Sequence, residues 1–234
     1  MRTESFDEFA DDYDEALAQG ISVSGESKEF FARQRVDWLS TRLRQLGEAP
    51  RTVLDFGCGT GATAPILLAL QHAESVLGVD ASTRSIERAR TLYGNHQGVT
   101  FLPTSEYVPD GRIDLAFCNG VFHHIPVDAR DNAVRYVYDA LRPSGLFALW
   151  ENNPWNPGTR LVMSRIPFDR DAVTLNMFNA RQLVQSNGFE ILRVDFMFIF
   201  PHALRRLRWI EPHVARFPLG SQYQVLCRKP MLRR

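Results

Sequence analysis

Three glycines at alternate positions, Gly57, Gly59 and Gly61, follow the apolar segment 52–56 and precede a helical pattern. Glycine adopts positive φ without strain and has no Cβ atom to keep a ligand away from the backbone. The helix that follows directs its free N–H groups toward such a ligand. This turn therefore predicts a nucleotide-like ligand at a strand-to-helix junction, in preference to a plain tight turn.

Two carboxylates flank this turn, and they help to distinguish between ligands. Gly57, Gly59 and Ala62 formally satisfy a dinucleotide fingerprint, and Asp80 ends the next apolar segment, where a ribose-binding acid belongs. Asp55, however, lies at the end of the first segment, where it would repel a pyrophosphate and attract an ammonium group. That carboxylate, together with the lack of a separate substrate domain, favours a ligand that carries an ammonium group over NAD.

Candidates for proton transfer occur in two later segments. His123 and His124 are adjacent, and imidazole titrates near neutral pH, so either one could act as a general base, or it could simply pack or orient its loop. Glu151 ends the predicted fifth strand and is a second candidate by position.

Metal and disulfide sites are not expected from the cysteines. Cys58, Cys118 and Cys227 are widely spaced and form no C-x-x-C pair, so we predict neither a disulfide framework nor a metal site. Free cysteines suit a reducing compartment, and we expect a cytoplasmic protein.

Short apolar strands alternate with helical windows from residue 52 onward. This alternation predicts an α/β fold with a doubly wound, mostly parallel sheet. The predicted strands are 52–56, 75–79, 99–102, 113–118, 146–150, 189–200 and 222–227, and the predicted helices are near 62–70, 82–93, 129–141 and 181–186.

The remaining segments divide the chain within a single domain, residues 1–234. Capping and apolar spacing predict two N-terminal helices in residues 1–48, which we expect to form a lid over a cofactor-binding core of residues 49–150. Two insertions, 151–178 and 201–220, are expected on the substrate side. Their apolar walls and polar anchors would come from Trp155, Arg160, Met163, Phe168, Phe178, His202, Trp209 and His213. Acidic residues dominate an N-terminal block, residues 1–20, and basic residues dominate a C-terminal block, residues 201–234. The two ends could therefore attract each other.

The order of these motifs resembles that of the class I S-adenosylmethionine-dependent methyltransferases, of the small-molecule type that includes quinone-biosynthesis-like enzymes. The motifs are Phe6-x-x-x-Ala10-x-x-Tyr13-Asp14, Leu54-Asp55-Phe56-Gly57-Cys58-Gly59-Thr60-Gly61, Leu77-Gly78-Val79-Asp80, Ile113-Asp114-Leu115, Phe122-His123-His124-Ile125-Pro126 and Leu141-Arg142-Pro143-Ser144-Gly145-Leu146. The resemblance covers most of the chain and implies a Rossmann-like, seven-stranded sheet whose last strand is antiparallel.

The resemblance also implies S-adenosyl-L-methionine as the cofactor. Asp55 would lie near its ammonium group, Asp80 would accept hydrogen bonds from both ribose hydroxyls, and Ala81 would lie against the adenine. The family often has an Asp after the third strand that receives the adenine amino group, but this chain has Thr104 and Ser105 there. The other residues assigned to the cofactor are Gly57, Cys58, Gly59 and Gly61 in the turn, Asn119 and Gly120 after the fourth strand, and Tyr13.

Composition limits the possible acceptors of the methyl group. The 27 basic and 27 acidic residues cancel, which predicts weak binding to nucleic acid, and no apolar stretch is long enough to cross a membrane. We therefore expect a monomer or homodimer that methylates a small organic molecule, most readily at oxygen, without nucleic-acid or membrane partners. Methylation at nitrogen or carbon, methylation of nucleic acid, and a cofactor-binding scaffold without catalysis remain alternatives.

Overall fold

The structure is a computed structural model that describes residues 19–166, 169 and 172–231. The predicted first helix, the cofactor residue Tyr13 and most of the acidic N-terminal block lie outside the described residues. None of the helices in the described part of the chain is long and apolar enough to cross a membrane.

Seven strands form one sheet in the order β3-β2-β1-β4-β5-β7-β6. The strands are β1 Thr52–Phe56, β2 Ser75–Asp80, β3 Val99–Pro103, β4 Ile113–Asn119, β5 Leu141–Asn152, β6 Glu190–Met197 and β7 Gln222–Arg228. The pairs β3–β2, β2–β1, β1–β4 and β4–β5 are parallel, whereas β7 pairs antiparallel with both β5 and β6. The predicted doubly wound sheet with an antiparallel last strand is confirmed.

Helices cover both faces of this sheet. They are α1 Lys28–Leu46, α2 Ala64–Leu68, α3 Thr83–Tyr93, α4 Arg130–Ala140, α5 Pro157–Arg165, α6 Met177–Ser186 and α7 Glu211–Val214, with 3-10 helices at Ser22–Ser24, Val127–Ala129 and His202–Ile210. The apolar sides of α1, α2 and α3 pack in one buried cluster, and those of α4 and α6 pack in a second cluster on the opposite face. The crossover connections thus place helices on both faces, as a parallel sheet requires.

Helix α1 shows how closely local sequence signals fix an element. The Ser27 side chain accepts a hydrogen bond from the backbone N–H of Phe30 at the start of the helix, and Gly47 ends it at a φ of 70°. These caps satisfy groups that the helix termini leave unpaired. Val36 and Leu39 are buried as the apolar spacing predicts, but Phe30 is only half-buried and lines a cavity.

The first insertion is more regular than its composition suggests. Residues 151–178 are rich in proline and asparagine and read as loop, yet they contain α5 and the start of α6. Pro157 stands at the first position of α5, where its missing N–H costs nothing, and the Asn156 side chain accepts a hydrogen bond from Thr159 N. Residues that look like loop signals therefore start a helix here.

A buried charge cluster fastens α1 to the far edge of the sheet. The Asp195 carboxylate on β6, only 1% exposed, accepts hydrogen bonds from Arg42 Nε at 2.8 Å and Trp38 Nε1 at 3.2 Å. Arg193 Nε lies 2.7 Å from the other carboxylate oxygen. Because Arg42 is itself buried, its charge depends on this partner.

We expect Asp195→Ala to destabilise the fold by about 3–5 kcal/mol, since it leaves the buried Arg42 guanidinium without its carboxylate. Urea unfolding followed by circular dichroism measures the change. Asp110→Ala is the matched control, because Asp110 pairs with the well-exposed Arg112 and its loss should leave the midpoint close to that of the wild type. Equal midpoints for the two variants would contradict a stabilising role for the buried cluster.

Candidate active site

The glycine turn follows β1 at the carboxyl edge of the sheet, and its three glycines have different surroundings. Gly57, Gly59 and Gly61 all have positive φ, at 74°, 52° and 83°. A Cβ atom on Gly57 would lie 2.3 Å from Val121, and one on Gly61 would lie 2.7 Å from Phe101. These two positions exclude a side chain because protein packs against them. A Cβ on Gly59 would meet nothing within 4 Å, so this glycine borders open space.

Asp80 joins the end of β2 to that turn. One carboxylate oxygen accepts a hydrogen bond from Gly59 N at 2.8 Å, and the other accepts one from Ser82 N at 2.9 Å. A carboxylate has about four lone-pair sites and can accept several donors at once, ribose hydroxyls included. Thr104 N donates to the backbone oxygen of Asp80, which places the adenine-side residues of the prediction beside β2.

Asp55 is the most unusual group at this edge. The residue is only 3% exposed, and Oδ2 has no hydrogen-bond partner among the described residues. Burial, and secondarily the charge of Asp80, raises the pKa of Asp55 to about 7. An unsatisfied buried carboxylate is costly, and a cationic ligand would offset that cost. The predicted ammonium contact fits this arrangement.

A cavity of about 480 Å³ opens beside the turn. The predicted site residues along its lining are Asp55, Gly57, Cys58, Gly59, Asn119, Gly120, His123 and His124. Gly61, Asp80, Ala81, Thr104, Ser105 and Glu151 do not belong to the lining, and Glu151 is fully buried. The structure therefore gathers eight of the predicted residues around one space.

The end of β4 forms the second wall of the cofactor side. Gly120 has a φ of 67°, and its N–H donates to Trp150 O on β5 at 2.9 Å. Asn119 Oδ1 is buried without a hydrogen-bond partner in the described structure. A buried amide oxygen that faces the cavity suits a donor on a ligand.

Glu151 and His123 form a buried pair behind this wall. His123 Nδ1 lies 2.7 Å from one Glu151 oxygen, and the other oxygen accepts a hydrogen bond from Phe122 N at 2.7 Å. Glu151 is thereby placed to orient His123 and not to meet an acceptor directly. Sequence position alone suggested a proton-transfer role for Glu151 but could not show which side of the imidazole it occupies.

Asp169 approaches both imidazoles from the first insertion, and sequence reasoning missed it. Its Oδ1 lies 3.5 Å from His123 Nε2 and 3.2 Å from His124 Nε2. Burial alone would lower the pKa of His123, but the carboxylates of Glu151 and Asp169 raise it to about 10. Burial and the charge of His123 outweigh Asp169 at His124 and lower its pKa. No local signal could have placed Asp169 beside residues so distant in sequence.

The far side of the cavity is built mainly by α1, α5 and the segment after β6. Its apolar lining is Ile21, Val23, Phe30, Phe31, Val162, Met163, Ile166, Phe198, Ile199, Phe200 and Pro201. Arg35 and Gln222 add a polar pair, in which Arg35 Nε donates to Gln222 Oε1 at 2.8 Å. Neither residue was predicted, because each becomes a site residue only when α1 meets β7.

Several aromatic residues of the insertions do not reach this cavity. Trp155 and Phe178, 45% and 61% exposed, contact each other on the surface, and Trp209 is 70% exposed. The expectation that these three would form the acceptor's walls is wrong, because their side chains are exposed on the surface while other residues of the insertions, such as Val162 and Pro201, line the cavity. Met163 is the member of the predicted set that does line the cavity.

Comparison with known proteins places this geometry in a family. A methyltransferase domain model matches residues 30–194. A malonyl-[acyl-carrier protein] O-methyltransferase of Legionella pneumophila is 32% identical over 124 residues, which cover 52% of this chain and 39% of the relative. A tRNA U34 carboxymethyltransferase of Shewanella pealeana is 35% identical over 160 residues, covering 65% and 42%. This chain spans less than half the length of the curated relatives it matches.

Solved structures agree on the architecture. The magnesium protoporphyrin IX methyltransferase of Synechocystis PCC 6803, solved with bound S-adenosylhomocysteine, superposes with a TM-score of 0.58 at 18% identity over 90% of this chain and 86% of its own. A likeness at this identity establishes the fold. Because the family model covers well over half of the chain, from α1 to β6, this protein belongs to the methyltransferase domain family of class I S-adenosylmethionine-dependent methyltransferases.

Proposed function

We propose that this protein transfers the methyl group of S-adenosylmethionine to a small organic acceptor, most readily at an oxygen atom. The observation that carries the proposal is Asp55, a buried carboxylate at the cavity beside the unobstructed Gly59, whose Oδ2 has no hydrogen-bond partner among the described residues. A fold with no ligand for this group would retain an uncompensated desolvation cost.

The cofactor supplies, when bound, an electrophilic methyl group on a sulfonium that is open to in-line attack. In our proposal, Asp55 and the backbone of residues 57–59 hold the amino acid portion, and Asp80 holds the ribose. Ala81, Thr104 and Ser105 lie on the adenine side of the proposed cofactor. Asn119 and Gly120 then border the reacting centre, and Gly61 keeps the turn close to β3.

On the acceptor side, the chain's main task is to position a nucleophile and exclude water. His123 and His124 line the cavity next to Asn119, and we assign them to contact with the acceptor. Glu151 acts as a positioning residue through His123. The polar pair of Arg35 and Gln222 would orient the remainder of the acceptor against the apolar wall.

The size of the cavity supports a small acceptor. About 480 Å³ lies within the range of pockets for small molecules, and part of this space is assigned to the cofactor. The match to an O-methyltransferase supports oxygen as the acceptor atom. Free thiols at all three cysteines support our proposal that the protein is cytoplasmic. The balanced charge supports our proposal that it has no nucleic-acid partner, and we propose that it is a monomer or homodimer.

The match to a tRNA-modifying enzyme makes RNA the alternative to test. Incubation with labelled S-adenosylmethionine and either a fractionated metabolite extract or total tRNA distinguishes the acceptors by where the label appears. We expect label in low-molecular-weight product, together with S-adenosylhomocysteine. Label that precipitates with tRNA would show that the acceptor is RNA and not a small molecule. A product methylated at nitrogen or carbon would show that the acceptor atom is not oxygen. Cofactor binding without any product would favour a scaffold.

We expect Asp80→Ala to weaken S-adenosylhomocysteine binding by about 1–3 kcal/mol, because the ribose loses a charged acceptor. Isothermal titration calorimetry gives the affinity. Asp110→Ala is the control, because Asp110 is exposed and does not line the cavity, and it should bind as tightly as the wild type. Unchanged affinity in Asp80→Ala would remove Asp80 from the site.

Cofactor binding should also depend on pH through Asp55. With its pKa at about 7 in the free protein, Asp55 must lose a proton below pH 7 before it can pair with the ammonium group. The facing groups are the Asp80 carboxylate, which contributes to the shift, and the thiols of Cys58 and Cys118, whose raised pKa values keep them neutral. Affinity for S-adenosylhomocysteine should therefore be about tenfold weaker at pH 6 than at pH 8.

Calorimetry at the two pH values in Asp55→Asn is the matched comparison. This variant should bind weakly at both pH values and lose the tenfold difference, because its amide does not titrate. A wild-type affinity that is flat across this range would show that Asp55 does not carry the ammonium contact.

A further inference from the structure

Three donor atoms from two distant segments converge at the wall of the cavity. They come from His123, His124 and Asp169, each of which offers one ligand atom within 4.8 Å of those of the other two. The carboxylate oxygen is 3.5 Å from the first nitrogen and 3.2 Å from the second. In a tetrahedral zinc site with bonds of about 2.0–2.1 Å, neighbouring ligand atoms stand about 3.3 Å apart. Both separations from the Asp169 oxygen are close to that edge length.

The carboxylate of Asp169 supplies an independent indication of a ligand. Its residue is 7% exposed, and Oδ1 has no hydrogen-bond partner among the described residues. The two imidazoles are near enough for ion pairing, but neither is aligned to donate a hydrogen bond to this oxygen. A buried carboxylate oxygen that is directed between two imidazoles and satisfied by neither is well placed to bind a cation.

Glu151 completes the arrangement from behind. It receives the Nδ1 side of His123 at 2.7 Å, which leaves Nε2 toward Asp169 and the cavity. Metal-binding histidines characteristically hold their second nitrogen against a carboxylate in this way, which fixes the ring and increases its basicity. The backbone N–H of Phe122 holds the other oxygen of Glu151, so the outer carboxylate is itself oriented.

We propose that His123, His124 and Asp169 form a binding site for a divalent transition metal ion. Two imidazoles with one carboxylate are a ligand set used by catalytic zinc and by non-haem iron, and imidazole suits both metals. The three ligands would leave coordination positions toward the cavity. Resting on the proposed function, we infer that an oxygen of the methyl acceptor takes one of them.

The metal requires no co-reactant at this site. It would displace the proton on His123 Nε2 and accept lone pairs from both imidazoles and from the carboxylate, with the displaced proton passing to buffer. The competing interpretation is a purely structural ion pair, in which an imidazolium lies between the carboxylates of Glu151 and Asp169.

Calorimetric titration of the tag-free chain with Zn²⁺ distinguishes these interpretations. We expect one Zn²⁺ per chain, and a loss of affinity of at least about tenfold in Asp169→Asn, which keeps the size of the side chain but removes its charge. His213→Ala is the matched control, because it removes an exposed imidazole outside the cluster and should retain wild-type binding. Zn²⁺ binding that is absent, or equal in the wild type and Asp169→Asn, would overturn the proposal and leave the ion pair.

A second measurement separates this inference from the proposed function. S-adenosylhomocysteine binding by each variant, measured in EDTA, reports whether the fold and the cofactor site are intact. Retained cofactor binding with lost Zn²⁺ affinity in Asp169→Asn would support the metal site. Zn²⁺ bound at one per chain in a wild-type protein that does not bind S-adenosylhomocysteine would uphold the metal site and defeat the proposed function.

Discussion

Everything in this site depends on the carboxyl ends of β1, β2 and β4 meeting at one edge of the sheet. Chain order reverses between β1 and β4, so the connections after these two strands turn to opposite faces and leave a crevice between them. The glycine turn after β1 and the Asn119–Gly120 turn after β4 form its two walls. The same topology brings Asp80 from β2 within hydrogen-bond distance of Gly59. No one of these segments would form a site without the others.

Buried charge separates the parts of the molecule that stabilise the fold from those that we assign to function. Asp195 on β6 is buried but fully engaged by Arg42, Arg193 and Trp38, so its charge ties α1 to the sheet. Asp55 is also buried, its Oδ2 has no hydrogen-bond partner in the part of the chain that the structure describes, and burial, with the charge of Asp80, raises its pKa to about 7. The desolvation cost of a buried carboxylate is thus offset by protein groups at Asp195, whereas at Asp55 it is left for a ligand to offset.

The acceptor side follows a different rule, because it is assembled from pieces that do not belong to the core of the sheet. The face of α1 turned toward the sheet contributes Leu39 to the interior, while its first turn contributes Phe30 to the cavity. Helix α5 and the segment after β6 complete this far side of the cavity. Such pieces can change without disturbing the sheet, so the cofactor site and the acceptor site can vary separately in this fold.

The sequence by itself determined the alternation of strands and helices, the glycine turn and the acids that flank it, because each depends on neighbours within a few residues. It did not reveal that the proline-rich first insertion folds into α5, since Asn156 and Pro157 are signals of both loops and helix starts. Only the tertiary structure placed Asp169 beside the two histidines, Glu151 behind His123, and Trp209 on the surface instead of in the cavity. Contacts across distant segments follow from how elements pack and from the direction in which each side chain leaves its backbone, and no local pattern records either one.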